Sequence, residues 1–309
     1  MTNSPPLSVS VPDETLRAAL TDVPDNVEVI EWTMSGPAPV DTIDIVVPPY
    51  LGGTTMLAQL ATVKTRLVQS QMVGYDGVAE VLPPGVVYAN AASVHETSTA
   101  ELTLALILAS QRGIPDFVRY ASEGRWVPSW HESLADRNVL LIGYGGVGKA
   151  IEARLLPFEV TVTRVALRAR SDERGEIHGF ESLHDLLPLA DIVVVVVPLT
   201  EKTTHLIDDS FLRRMRDDSL LVNVARGSVA DTKALLAHAS AGRIRVALDV
   251  TDPEPLPEGH PLFSLANVLI SPHVGGRSSA MLPRMARLLR EQIVRMLAGD
   301  EPVNVVLRS

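Results

Sequence analysis

The sequence predicts an α/β fold with two doubly wound parallel sheets, and three observations predict it. Short β-rich runs alternate with helix-length segments in the N-terminal third, and a second, more apolar series of strands begins near residue 138. The 309 residues suffice for two ordinary domains. Because 46 % of the residues are hydrophobic, each domain has enough apolar side chains for its own core.

The first strand series predicts a small α/β domain. Its strands are residues 7–11, 27–32, 43–47, 66–70 and 86–90. Helix-length segments separate them, and strands joined by such crossovers pair in parallel.

A long helix is expected next, in the segment SVHETSTAELTLALILASQR. From Leu102 to Ala109 this helix is apolar on every face, which predicts burial between domains or subunits. An aromatic stretch at 117–130 leads into the second series, whose Val, Ile and Leu runs are typical of strands covered on both faces. These strands are 138–143, 160–166, 191–197, 219–224, 244–250 and 267–272. A final helix ends at Gly299.

The composition excludes several classes of site. No cysteine is present, which excludes thiol catalysis, cysteine-based zinc sites and disulfides, and favours a reducing compartment. The net charge of -10 argues against a broad nucleic-acid surface. The N-terminal segment lacks a basic start with an apolar run, and no apolar run approaches the roughly 18 residues that span a bilayer. We therefore expect a soluble, cytoplasmic protein that binds neither nucleic acid nor a membrane.

The segment GYGGVG carries a dinucleotide-binding pattern. Gly143, Gly145 and Gly148 form G-x-G-x-x-G between a buried strand and a helical segment. The first glycine permits a tight turn, the second lets the backbone approach a pyrophosphate, and the third allows close helix packing. The helix N-terminus adds amide groups and a positive dipole. A Rossmann domain is predicted, with Gly146 and Val147 also contacting the cofactor.

The end of the second strand of this domain predicts the type of dinucleotide. Ala166 stands where an Asp or Glu would accept hydrogen bonds from the adenosine ribose, and Arg164, Arg168, Arg170 and Arg174 surround it. A 2'-phosphate would meet several cations there and no carboxylate, so NADP(H) is favoured, with Arg168 and Arg170 as contacts. The alternative is that the arginines form a solvated face and that backbone groups accept NAD(H).

Three polar residues follow three predicted parallel strands: Arg226 in VNVARGS, Glu254 in LDVTDPEP and His273 in ISPHVGG. Open α/β sheets bind ligands at this edge, so the three can converge. Separately, each has an ordinary interpretation as a solvated arginine, a surface carboxylate or a histidine bonded to backbone.

Together the three residues suit the reduction of a 2-keto acid. A guanidinium holds the carboxylate and polarises the carbonyl through its planar fork, which is the expected task of Arg226. An imidazole that titrates near neutrality protonates the oxygen as hydride arrives, which suits His273. Glu254 would orient that imidazole and favour its charged form.

The chain resembles the D-isomer-specific 2-hydroxyacid dehydrogenase family over nearly all its length. The segments that carry the resemblance are MVGYDGV, STAELTLALILA, GYGGVG, ADIVVVVVPLTEKTTHLI, LVNVARGSVAD, ALDVTDPEPLP and SPHVGG. The resemblance implies that Arg226, Glu254 and His273 are the catalytic trio. It also implies that backbone amides of Val73 and Gly74 hold the substrate carboxylate.

The resemblance further implies the rest of the cofactor site and the domain organisation. Asp249 would contact the nicotinamide carboxamide, Thr99 would lie near the nicotinamide, and Pro198, Thr200 and Thr203 near the adenosine half. Ala225 and Gly275 complete the expected cofactor contacts. A discontinuous, flavodoxin-like substrate domain (1–94 and 280–309) and a Rossmann domain (95–279) would enclose a cleft, and a homodimer would form through the cofactor domain.

The function expected from these observations is the NAD(P)-dependent interconversion of a small 2-keto acid, such as glyoxylate or hydroxypyruvate, and its D-2-hydroxy acid. A non-catalytic dinucleotide sensor or corepressor on the same scaffold is the alternative, and formate or phosphite oxidation is a second rival. The remaining histidines form no H-x-x-x-H or H-E-x-x-H pattern, so no metal site is predicted.

Overall fold

The computed structural model describes residues 6–50 and 52–309. The strands are β1 (Leu7–Val11), β2 (Val27–Glu31), β3 (Ile45–Val46), β4 (Leu67–Gln69), β5 (Val87–Ala89), β6 (Asn138–Ile142), β7 (Thr161–Val165), β8 (Arg170–Asp172), β9 (Gly175–Ile177), β10 (Ile192–Val195), β11 (Leu220–Asn223), β12 (Arg245–Leu248), β13 (Val268–Ile270) and β14 (Val305–Arg308). The α-helices are α1 (Glu14–Ala18), α2 (Glu96–Gln111), α3 (Ile114–Ser122), α4 (Gly146–Leu155), α5 (Leu183–Leu186), α6 (Asp209–Arg214), α7 (Thr232–Ser240) and α8 (Met281–Ala298).

The chain forms two compact units. The first contains the described residues up to His95 together with Ser279–Ser309, and the second is Glu96–Ser278. Each unit is built around its own six-stranded sheet. The prediction of an α/β fold with two doubly wound sheets is confirmed.

The sheet of the first unit has the order β14-β5-β4-β3-β1-β2. Strands β1 to β5 are parallel and follow the flavodoxin-like order, whereas β14 pairs antiparallel with β5 and forms one edge. An antiparallel edge strand on an otherwise parallel sheet was not expected from the sequence. Helix α8 packs its apolar stripe on one face, where Leu289 and Ile293 join Val9, Ile45 and Leu67 in a buried cluster.

The sheet of the second unit has the order β13-β12-β11-β10-β6-β7, and all its pairs are parallel. Beyond β7, a single parallel bridge joins Val165 to His178, so the third strand of the Rossmann order is reduced to one residue pair. Along β6, Leu140 and Ile142 enter one core cluster, while Val139 and Leu141 enter the other. This alternation explains why both faces of the strand are apolar.

Helix α2 covers one face of this second sheet with α4. Leu104 and Ile107 of α2 share a buried cluster with Ile151 and Leu155 of α4. Ala105 of α2 is exposed in the single chain, so the predicted burial of this helix on every face stays a prediction that depends on a second subunit. Within the described residues, no helix is both long enough and apolar enough to cross a membrane.

A short antiparallel hairpin, β8–β9, follows β7, and the sequence interpretation missed it. Its register pairs Arg170 with Ile177 and Asp172 with Gly175. Gly175 has φ +106°, which favours glycine at the turn. Most of the hairpin's side chains are polar and exposed, so no hydrophobic alternation marks it in the sequence.

Candidate active site

The glycine-rich segment forms a close turn between β6 and α4. Gly143 has φ +108°, and a Cβ there would lie 2.3 Å from the carbonyl oxygen of Val196. A Cβ on Gly148 would lie 2.2 Å from the carbonyl oxygen of Gly143. Both positions therefore require glycine for steric reasons.

Gly145 differs from its two neighbours in the motif because open space surrounds it. A Cβ there would meet no heavy atom within 4 Å, and the residue is the N-cap of α4. An anionic group could approach the backbone at this position and interact with the helix N-terminus. The residues present therefore fit the pyrophosphate of a dinucleotide.

Two of the four arginines near Ala166 are committed to ion pairs. Arg164 Nε lies 3.6 Å from Glu152 Oε1, and Arg164 Nη1 lies 3.3 Å from Asp172 Oδ1. Arg174 Nη1 donates to Glu152 Oε2 at 2.7 Å. Two carboxylates, those of Glu152 and Asp172, therefore lie among these arginines, which the sequence did not indicate. Glu152 on α4 is 4 % exposed and needs these cations to compensate its burial.

Tyr144, inside the glycine motif, ties this ion-pair cluster to the loop. Its hydroxyl donates to Glu152, and the Arg164 guanidinium lies over its ring, 5.5 Å from the centroid. Burial raises the pKa of the Tyr144 phenol, and Glu152 raises it further, so the hydroxyl stays protonated. The cluster fastens the hairpin to α4.

Arg168 and Arg170 have different surroundings. Arg170 Nη2 donates to the carbonyl oxygen of Tyr144 at 2.9 Å, so its charge lies against the glycine loop. Arg168 is exposed and has no hydrogen-bond or ion-pair partner in residues 6–50 and 52–309. These two arginines, unlike Arg164 and Arg174, keep charge that no carboxylate neutralises.

The loop after β10 contains Pro198, Thr200 and Thr203. The Thr203 hydroxyl donates to the Pro198 carbonyl at 2.7 Å and accepts from the Thr200 amide at 2.8 Å. Thr203 is 3 % exposed. Its hydroxyl therefore holds the shape of the loop instead of being presented at the surface.

Asp249 organises the loop after β13. Its Oδ1 accepts from the Ser271 hydroxyl at 2.7 Å and from the Val274 amide at 2.9 Å, and its Oδ2 accepts from the Gly275 amide at 2.9 Å. A Cβ on Gly275 would lie 2.9 Å from Asp249 Oδ2 and 3.4 Å from the Thr99 side chain. Three expected cofactor contacts, Thr99, Asp249 and Gly275, therefore lie together, and a side chain at position 275 would crowd the Asp249 carboxylate.

His273 lies within the loop that Asp249 holds. Its amide donates to the Asp249 carbonyl at 2.8 Å, and its φ is +51°. His273 Nδ1 lies 2.5 Å from Glu254 Oε1, so this nitrogen carries the proton and donates to the carboxylate. The carboxylate fixes the orientation of the ring. Nε2 remains for proton exchange with a ligand.

Arg226 follows β11, beside the loop that carries Glu254. A Cβ on Gly227 would lie 1.8 Å from the Thr251 carbonyl oxygen, so the two loops touch at that glycine. The Ser228 hydroxyl donates to Asp252 Oδ2 at 2.9 Å and joins them again. Because β11, β12 and β13 are parallel neighbours in the sheet, the loops that carry the three residues leave the sheet at the same edge.

The family model for the NAD binding domain of D-isomer specific 2-hydroxyacid dehydrogenases matches residues 104–275. The matched range contains the glycine loop, the Asp249 network and the Arg226, Glu254 and His273 loops. The chain belongs to the D-isomer specific 2-hydroxyacid dehydrogenase family. The resemblance stated from the sequence is confirmed.

Relatives within the 2-hydroxyacid dehydrogenases include glyoxylate reductases. One from Korarchaeum cryptofilum is 35 % identical over 257 residues, which are 80 % of this chain and 77 % of that protein. The glyoxylate reductase/hydroxypyruvate reductase of Homo sapiens is 30 % identical over 302 residues, 92 % of each chain. An NADPH-dependent glyoxylate/hydroxypyruvate reductase from Sinorhizobium meliloti, solved with NADP and malonate, has a TM-score of 0.79 at 26 % identity and covers 98 % of this chain and 97 % of its own.

Several residues that shape this dehydrogenase site were not singled out from the sequence. They are Tyr144, Glu152, Asn223, Asp252 and Ser271. All but Glu152 lie inside the segments that carry the family resemblance, but a sequence pattern does not reveal which side chain accepts which hydrogen bond. Asn223, for example, accepts from the Ala225 amide at 3.0 Å and donates to the Arg226 carbonyl at 3.1 Å, which shapes the Arg226 loop.

Substrate contacts expected from the resemblance lie on the other unit. Val73 and Gly74 follow β4, and neither amide donates to any group in the described part of the chain. Among the described residues, no group of three or more His, Cys, Asp or Glu side chains is arranged to hold a metal ion.

Proposed function

We propose that this dehydrogenase reduces a small 2-keto acid of the glyoxylate or hydroxypyruvate type to its D-2-hydroxy acid, with NADP(H) preferred over NAD(H). The contact between His273 Nδ1 and Glu254 Oε1, 2.5 Å long, carries the proposal. The named activities of the relatives support it, and so does the open space at Gly145. We further propose that the two compact units are the substrate and cofactor domains expected from the sequence.

His273 is proposed to transfer the proton in this reaction. Glu254 holds the imidazole by Nδ1, which leaves Nε2–H of the imidazolium as the acid that protonates the keto oxygen of the substrate. In the oxidation direction the same nitrogen accepts the hydroxyl proton. The nicotinamide, when bound, supplies or accepts the hydride.

Arg226 is proposed to hold the substrate and polarise its carbonyl. A guanidinium presents donors in a planar fork that matches carboxylate geometry, which a lysine cannot reproduce. The Val73 and Gly74 amides are proposed to receive the same carboxylate. Thr99, Asp249 and Gly275 are proposed at the nicotinamide, and Pro198, Thr203 and Ala225 at the rest of the cofactor.

The proposal is tested by oxidation of NADPH and NADH in the presence of glyoxylate, hydroxypyruvate, pyruvate and bulkier 2-keto acids. We expect turnover with the small acids and a D-configured product. If the folded protein bound NADPH but oxidised it with none of these acids, the non-catalytic dinucleotide sensor would replace the enzyme as the preferred function.

The preference for NADPH is predicted to depend on Arg168. The Arg168 guanidinium lies near Ala166 and has no hydrogen-bond or ion-pair partner among the described residues, so it is free to pair with a 2'-phosphate. One charge-assisted hydrogen bond is worth about 1.5–3 kcal/mol, so Arg168→Ala should lower kcat/KM for NADPH by about tenfold to hundredfold. The value for NADH should stay nearly constant.

Arg154→Ala is the matched control for this measurement. Arg154 lies on α4 and donates to the Ala150 carbonyl of its own helix. The Arg154→Ala variant should leave the ratio of kcat/KM for NADPH to kcat/KM for NADH unchanged. Equal use of the two cofactors by the wild-type enzyme, or a ratio insensitive to Arg168→Ala, would reject the assignment.

We also propose that the enzyme is a homodimer joined through the cofactor domain. The support is an apolar surface on the second unit: Ile114 and Val118 on α3 are exposed, and Trp126 and Trp130 in the following segment are almost fully so. Exposed aromatic and aliphatic side chains in one region are typical of surfaces that a partner covers.

The dimer is tested by the mass of the protein in solution, measured by light scattering. We expect twice the chain mass of 33.3 kDa. The double variant Trp126→Ser, Trp130→Ser should weaken association by about a hundredfold or more, since buried tryptophans are often interface hot spots. Phe263→Ser, at another exposed aromatic of the same unit, should have no effect. A monomeric wild type, or an unchanged double variant, would contradict the proposal.

A further inference from the structure

The loop after β4 has an unusual distribution of hydrogen bonds, because four consecutive carbonyl groups all accept one. The Gln69 side chain donates to the Ser70 carbonyl at 2.9 Å, and His95 Nε2 donates to the Gln71 carbonyl at 2.7 Å. The Ala91 amide donates to the Met72 carbonyl at 2.9 Å. The Asn90 side chain donates to the Val73 carbonyl at 2.8 Å.

The donors are themselves buried and held in place. Gln69, Asn90 and His95 are 0 %, 7 % and 5 % exposed. Asn90 Oδ1 accepts from the Ala92 amide at 3.1 Å, and Gln69 Oε1 accepts from Gln292 on α8 at 2.7 Å. These second contacts fix which end of each amide faces the loop. The four carbonyl groups are therefore held by a rigid frame.

The consequence follows from the geometry of the peptide bond. In a planar trans peptide, the carbonyl of one residue and the amide of the next point in opposite directions. Fixing the Met72 carbonyl with the Ala91 amide therefore turns the Val73 N–H away from β5. The hydrogen bond from Asn90 to the Val73 carbonyl likewise turns the Gly74 N–H away from Asn90. Neither N–H has an acceptor in the described part of the chain, so two successive amides are left open to an anionic group, and we call this pair of amides the nest.

We infer that Asn90 and His95 are positioning residues for substrate: by holding the carbonyls of the 70–73 segment, they aim the Val73 and Gly74 amides at the substrate carboxylate. Asn90 acts on the peptide plane that carries the Gly74 amide. His95 acts one step earlier, on the plane between Gln71 and Met72. This inference rests on the proposed function, since it deepens the role given to those two amides.

The decisive variant is Asn90→Ala. Without the side-chain donor the Val73–Gly74 peptide can rotate, and the Gly74 amide is no longer aimed. We expect KM for glyoxylate and the Ki of oxamate, a carboxylate with a similar frame, to rise together by about tenfold to hundredfold. The Kd for NADPH should not change, and kcat at saturating glyoxylate should stay within about threefold.

Asn304→Gly is the matched control, because Asn304 is another amide side chain of the same unit. Its side chain donates to the Ala92 carbonyl at 3.0 Å and does not contact the 70–73 segment, and its backbone carbonyl, which glycine keeps, accepts from the Asn90 amide at 3.0 Å. Glycine suits its φ of +57°. This variant should leave KM and Ki unchanged, whatever it does to Tm.

Two variants of His95 test the same inference if Asn90→Ala fails to fold. Gln can place an N–H close to the position of the imidazole Nε2, whereas Leu cannot. We expect His95→Leu to raise KM for glyoxylate and the Ki of oxamate, and His95→Gln to restore much of both. Folded Asn90 or His95 variants that change Tm alone, with KM and Ki as in the wild type, would overturn the inference.

Failure of the proposed function can be told apart from failure of this inference. If the wild type oxidises NADPH with no keto acid, the reductase proposal fails. Calorimetric binding of oxamate to the NADPH-loaded wild type and to Asn90→Ala still tests the nest, because it needs no turnover. Equal affinity, or no binding to either, would count against the positioning role.

Discussion

Replacement of His273 by alanine should lower kcat for glyoxylate reduction by about a hundredfold to ten-thousandfold, the usual contribution of a positioned general acid. The imidazole is held by Glu254 through Nδ1 and by the Asp249 network through its own backbone. Alanine preserves neither the acid nor the contact with Glu254. Because the carboxylate contacts of the substrate remain, KM should change much less than kcat.

The measurement is steady-state NADPH oxidation, with NADPH binding recorded separately to verify that the variant is folded. His184→Ala is the control, since His184 is an exposed histidine of the same unit that contacts Asp185 at 3.0 Å. It should retain wild-type kinetics. Wild-type turnover by His273→Ala would remove this residue from the mechanism.

The second large effect is expected for Arg226→Lys, which keeps the charge and removes the planar fork. Each charge-assisted hydrogen bond lost should reduce kcat/KM by about tenfold to hundredfold. The arginine also donates through Nη1 to the Ala225 carbonyl at 2.8 Å, so lysine loses the contact that orients the side chain. We therefore expect KM for the keto acid to rise and kcat to fall together.

Arg213→Lys is the control for this variant, because Arg213 is an exposed arginine on α6 that pairs with Asp209 at 2.6 Å. Its kinetics should match the wild type, whereas those of Arg226→Lys should not. Unchanged KM and kcat in Arg226→Lys would reject its role in holding the substrate.

Much of this architecture could be predicted because its causes are local. The Gly143 turn requires a positive φ, and the apolar runs of β6 and β10 are buried on both faces. The edge location of Arg226, Glu254 and His273 follows from the parallel order of the strands.

The role of the arginines could not be predicted in the same way. Glu152 meets Arg164 of β7 and Arg174 of the β8–β9 hairpin, and the Arg174 contact forms only after the hairpin folds back toward α4. That hairpin has no apolar alternation, so nothing in the sequence indicated it. The sequence therefore located the cations near Ala166 and could not show that two of them were already neutralised. The contacts of Asn90 and His95 with the 70–73 segment could not be predicted either, because residues from separate loops meet only in the folded unit.

The antiparallel strand β14 has a consequence for how the protein is made. The sheet of the first unit lacks an edge strand, and its core lacks α8, until the ribosome has synthesised the whole of Glu96–Ser278. The second unit is continuous and can fold as it emerges, so the part of the chain translated first is the part completed last. During translation, the face of the early strands that α8 covers therefore stays exposed until the last thirty or so residues are made, which makes it the face most open to aggregation.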